Sequence, residues 1–151
     1  MPLSQSLRIS ASGLTAERLR LDVISNNIAN ANTTRTENGQ PFRRQEVVFG
    51  ARESSPFAQA LENARCGTKT CAGGKGVNVI AIQPDTNHDF KMVYEPGHPD
   101  ADARGFVRMP NVEPITEMVD MISATRAYEA GVTAINSAKQ MQQRALDIGR
   151  S

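Results

Sequence analysis

The sequence predicts an α+β fold, with long N- and C-terminal helices paired as a coiled-coil-like helical hairpin and a small β-rich insert between them. Three observations predict it. Leu7, Leu14, Leu21 and Ile28 recur at steps of seven, the spacing of a helical seam. From Ile115 onward apolar residues again advance by threes and fours, through Met118, Met121, Ala124, Tyr128, Val132, Ile135, Ala138, Met141, Ala145 and Ile148. Between these stretches the period changes, and short runs of β-branched and aromatic residues alternate with Gly, Pro, Asn and Asp.

Taken in order, residues 1–32 form the first helix, with Leu3, Ala11, Ile24 and Ala31 filling the steps between the heptad leucines. Run from Ser4 to Ala31, it spans about 40 Å, a length that suits a rod better than a globule. Its end, VISNNIANANTT, carries Asn26, Asn27, Asn30 and Asn32. Asn is a poor helix former because its side chain competes for backbone groups, so something must offset the cost. A solvated helix end would do so. So would a left-handed cap at Asn30 or Asn32, or carboxamides that bond a partner surface.

Residues 33–112 form the β-rich insert. FRRQEVVF (Phe42 to Phe49), VNVIAI (Val77 to Ile82), FKMVY (Phe90 to Tyr94) and GFVRM (Gly105 to Met109) read as strands, punctuated by NGQP, AGGKG, EPGHPD and MPN. The stretch 50–76 is rich in Ala, Ser and Gly and reads as a flexible loop, with one helical turn through FAQALENA. Residues 113–151 form the second helix, which Pro114 can open because its missing N–H costs nothing in a first turn. Its stripe is interrupted by Gly131, as that of the first helix is flanked by Arg18 and Ser25. A solitary hairpin of this kind is marginal, and side-by-side copies are the natural remedy.

Composition narrows the function. Hydrophobic residues make up 39% of 151 and aromatics 5%, without Trp, so the core is thin for the length. Lys and Arg number 17 against 16 Asp and Glu, which leaves no basic excess for nucleic acid or an acidic membrane and points to protein partners. The sequence holds no run of about 20 apolar residues for a membrane span, and MPLSQSLRISASG lacks the basic-then-apolar layout of a cleavable signal.

Several local signals have enzymatic or metal readings. Cys66 and Cys71 in CGTKTC have four intervening residues, which fits neither a zinc knuckle nor a redox pair, though they could bridge in an oxidising compartment. His88, His98, Asp100 and Asp102, with Asp85 and Asp89 nearby, could assemble as mixed ligands of a small metal-dependent hydrolase. The plainer reading of GHPDAD is a turn whose Asp side chains bond their own backbone. AGGKGV lacks the hydroxyl after Lys75 that a phosphate loop needs and leads into a strand. Met118, Met121 and Met141 read as adaptable packing.

SGLTAERLRLDVISNNIANANTTRT resembles the N-terminal signature of the bacterial flagellar rod and hook axial proteins, in which a heptad helix runs into an NN-x-AN-x-x-T element. PFRRQEVVF, YEPGHPDADARGFVRMPNV and EMVDMISATRAYEAGVTAINSAKQMQQRALDIG resemble the rod members of that family. The resemblance implies a structural protein of the flagellar basal body, not an enzyme, without a cofactor or catalytic site. It implies export through the flagellar type III apparatus without a cleaved signal, and terminal helices packed in a helical hetero-oligomer that crosses the periplasm and transmits torque to the hook. Implied neighbours are the rod proteins FlgB, FlgF and FlgG, with FliE and the MS ring. The expected assembly residues are Leu7, Leu14, Leu21, Ile24, Asn26, Asn27, Ile28 and Asn30 on the first helix, and Met118, Ile122, Tyr128, Val132, Ile135 and Met141 on the second.

Overall fold

The computed structural model describes residues 3–53, 57, 60, 61, 64 and 74–149. Cys66 and Cys71 lie outside them. Helix α1 spans Leu3–Ala29, strands β1 to β4 span Gln45–Ala51, Val77–Pro84, Lys91–Tyr94 and Phe106–Met109, and helix α2 spans Pro114–Ile148. The fold is therefore α+β, with two terminal helices bracketing a small β insert. All four strands overlap the runs that the sequence singles out, but β1 starts at Gln45 and continues through Gly50 and Ala51 into the stretch expected to be loop, and β2 continues through Gln83 and Pro84; Pro114 does open α2. Of FAQALENA, Phe57, Ala60, Leu61 and Ala64 are described, and all four are helical.

The strands form two two-stranded sheets, β1 with β2 and β3 with β4. The second is antiparallel, with Lys91 opposite Met109 and Tyr94 opposite Phe106. Alternation puts Val93 and Val107 on one face and Met92, Tyr94, Phe106 and Arg108 on the other. Val107 is completely buried, whereas Tyr94 and Phe106 stay exposed and meet edge to face with ring centroids 5.3 Å apart.

Contacts divide the chain into two compact units, residues 1–17, 49–80 and 126–151 in one, and residues 18–48 and 81–125 in the other. In the first unit, Ser12 Oγ accepts the Val77 N–H at 3.1 Å and donates to the Ile9 carbonyl, tying the start of β2 to α1. Gly76 sits at φ +98°, and a Cβ there would collide with Ser12, so this approach of strand to helix requires glycine. Gly131 has a similar steric role on α2. The Leu14 Cδ2 lies 2.8 Å from where its Cβ would stand, so the glycine that breaks the sequence stripe is the notch that admits a heptad leucine. The second unit holds the tightest core: Val23, Ile24, Val107, Pro110, Val112 and Ala124 are buried there, together with Asn27, Asp85 and Glu117. Among the described residues, no helix is long and apolar enough to cross a membrane.

Candidate assembly interface

The asparagine cluster at the end of α1 divides by role. Asn27 points inward and is 1% exposed. Its carboxamide acts as a strand partner for Gln45: Nδ2 donates to the Gln45 carbonyl at 2.9 Å, and the Gln45 N–H donates to Oδ1 at 3.0 Å. The second Nδ2 hydrogen reaches Glu117 Oε2 at 3.0 Å. Asn30 instead donates to the Asn26 carbonyl and side chain, at 3.0 and 2.8 Å, and accepts from Thr33 Oγ1. The expected left-handed cap at Asn30 or Asn32 does not form, because glycines alone take positive φ among the described residues. The helix tightens instead, with Ala31 N–H bonding to the Ile28 carbonyl and Thr33 N–H to that of Asn30.

Glu117, also 1% exposed, is the other half of this clamp. Arg44 Nε donates to its Oε1 at 2.5 Å, and the same guanidinium reaches Glu46 at 3.1 Å and Asp120 at 3.3 Å. Burial works to lower the Arg44 pKa, but the hydrogen bond and charge of Glu117, reinforced by Glu46, hold it above its ordinary value. The Arg44 N–H donates to Asn111 Oδ1, and Asn111 Nδ2 returns to the carbonyls of Asp85 and His88. Arg43 lies over the Phe90 ring at 4.6 Å and donates to the Asp85 carbonyl. The sequence reading missed Arg44, Asn111 and Glu117. A signal for Glu117 exists: it stands on the same helical face as Met121, Ala124 and Tyr128, a charge on an apolar stripe.

That face also resolves the second stripe into two. Glu117, Ala124, Tyr128, Val132 and Ile135 turn inward, buried or half-buried, whereas Met118 and Ile122 are exposed at 55% and 54%. With Ile115 and Val119 they make an apolar patch on the opposite side of the first two turns of α2. The patch ends where Arg126, Glu129 and Thr133 follow on the same side. On α1, Leu7, Leu14, Leu21 and Ile28 are half-buried, Ile24 is buried and Asn26 exposed; Met141 on α2 is exposed too.

The residues named for a metal site do not converge. Asp85 accepts from His88 Nδ1 at 2.7 Å and from the N–H groups of Asn87 and His88, an arrangement that caps its own turn after β2. The His88 hydrogen bond, then that of Asn87, holds the Asp85 carboxyl below the usual carboxylate range. His98 and Asp100 belong to another turn, between β3 and β4. There the Asp100 N–H donates to His98 Nδ1, while the Asp100 carboxylate takes the Thr34 hydroxyl at 2.8 Å and faces Arg35 at 3.9 Å. A side chain does bond backbone in GHPDAD as expected, but it is the histidine's. Among the described residues no three His, Cys, Asp or Glu side chains are grouped to hold a metal ion.

Comparison with known proteins agrees with this architecture end to end. Residues 7–35 match the family described as flagella basal body rod protein, and residues 103–148 match the C-terminal family of the flagellar basal body rod FlgEFG proteins. The flagellar basal-body rod protein FlgC of Borreliella burgdorferi is 46% identical, with 98% of each chain covered. That of Bacillus subtilis is also 46% identical, over 99% of this chain and 100% of its own length. That of Escherichia coli O6:H1 is 41% identical over the same shares. Similarity at this level over nearly the full length, joining the heptad helix, the strands and α2 in one order, means that the chain belongs to the FlgC family of flagellar basal-body rod proteins.

Proposed function

We propose that the protein is a structural subunit of the proximal rod of the flagellar basal body, assembling with other rod proteins into the drive shaft that carries motor torque to the hook. It works mechanically and not as an enzyme. The observation that carries the reading is the apolar patch Ile115, Met118, Val119 and Ile122, exposed on one side of α2 while the opposite side holds the buried clamp. Soluble monomers rarely leave a grouped aliphatic helix face in water, and a repeated subunit contact covers it.

In this reading Met118, Ile122, Met141 and Asn26 meet neighbouring subunits directly. Leu7, Leu14, Leu21, Ile24, Asn27, Ile28, Asn30, Tyr128, Val132 and Ile135 support the contact from within the helices. The neighbours are FlgB, FlgF and FlgG along the rod, with FliE and the MS ring at its base. The chain reaches the periplasm through the flagellar type III export apparatus. The test is the double substitution Met118→Glu and Ile122→Glu. Both sites are exposed, so soluble protein should accumulate normally, whereas purified basal bodies should lack it by immunoblot and cells should not spread in soft agar. Rods that contain the double variant and turn normally would overturn the reading.

A further inference from the structure

We propose that Asn27, Glu117 and Arg44 act as a register key that fixes the axial offset of α1 against α2. The apolar seam cannot do this well by itself. Leu7, Leu14, Leu21 and Ile28 repeat every seven residues, so sliding α1 by one heptad, about 10.5 Å, sets leucine where leucine stood before. Asn27 breaks that degeneracy. In the native register its carboxamide makes three bonds, two to the Gln45 backbone and one to Glu117. A one-heptad slip brings Asn27 level with Ala124, a buried methyl that offers neither donor nor acceptor.

Glu117 sharpens the choice. It is 1% exposed, and its two carboxylate oxygens are taken by groups from different elements, Oε2 by Asn27 on α1 and Oε1 by Arg44 at the entry to β1. The end of α1, the start of α2 and the start of β1 therefore meet at one carboxylate. A buried ion pair adds little net stability over a well-packed apolar trio, whereas separating its members is costly. Its effect is to penalise wrong arrangements more than to stabilise the right one, as a single buried Asn does in coiled coils. This role is independent of what the assembled protein does.

Disulfide trapping in the full-length protein tests it, with Cys66→Ser and Cys71→Ser removing the native thiols. Leu14→Cys with Gly131→Cys reports the native offset, because Leu14 seats on Gly131. Leu14→Cys with Ala138→Cys or with Ala124→Cys, Gly131 being left in place, reports a slip of one heptad in either direction. With the key intact, the 14–131 bridge should dominate. With Asn27→Leu, Arg44→Met and Glu117→Leu together, the slipped bridges should rise about tenfold relative to it while helical circular dichroism is retained. If the triple variant loses its helical signal, Asn27→Leu alone, which leaves Arg44 paired with Glu117, is read in the same way. An unchanged preference for the 14–131 bridge in the variant, or slipped bridges of equal yield with the key intact, would overturn the proposal.

Discussion

At the scale of single residues, the chain puts polar chemistry where an apolar side chain would look safer, and the reason is geometric. Asn27 supplies two donors and an acceptor to partners that have lost water, so shortening it leaves a strand carbonyl, a strand N–H and half a carboxylate unsatisfied. Asn27→Ala should therefore lower stability by about 2–3 kcal/mol in urea titration, more than any exposed Asn in the cluster. Asn26→Ala, at an exposed site, should fall within about 0.5 kcal/mol of the parent. Asp85 makes a pH prediction. Its carboxyl is held below its unfolded value, so its contribution is fully present above about pH 4 and is lost as pH falls through the lower folded value. Thermal midpoints measured from pH 5 down to pH 2 should fall less steeply in Asp85→Asn than in the parent. An equal slope would show that the His88 bond does not couple to folding.

At the scale of elements, helices and strands were legible in the sequence because period and turn chemistry are local. The heptad leucines and the run from Ile115 gave α1 and α2, and clusters of Gly, Pro and Asn separated the strands, although Gly50 and Pro84 lie inside β1 and β2. The inward face of α2 was less legible. Met118 and Ile122 fit a helical stripe as well as Glu117, Ala124 and Tyr128 do, and hydrophobicity alone chooses the wrong starting turn. What reverses the choice is a charge paired 73 residues away, between Arg44 and Glu117, which no local pattern encodes. The same limit applies to Ser12, an ordinary helical serine until Gly76 brings the Val77 N–H onto its hydroxyl. Ser12→Ala should cost about 1 kcal/mol by removing that acceptor. Gly76→Ala should cost more, because positive φ and the approach of Ser12 both oppose a methyl. Chemical denaturation of the two single variants checks the order, and the reverse order would mean that the turn relaxes freely.

At the scale of the whole molecule, burial is unevenly shared. Among the described residues, Val23, Ile24, Asn27, Asp85, Val107, Pro110, Val112, Glu117 and Ala124 belong to the unit of residues 18–48 and 81–125, and Ala16 alone of the buried residues belongs to the other. Amide exchange of the free subunit should therefore show slow protons within residues 18–29 and 114–125 and fast ones within 3–17 and 126–148, with the boundary inside each helix. Uniform protection along both helices would contradict this. The order in which the chain is synthesised adds a consequence of the same clamp. Asn27 and Arg44 emerge from the ribosome early, but the carboxylate that both require lies 90 and 73 residues further along. Closing so long a span is slow and cannot begin before Glu117 is made. Until the last quarter of the polypeptide appears, the end of the first helix can hold only the Gln45 backbone, and the three-way clamp that ties it to α2 stays open.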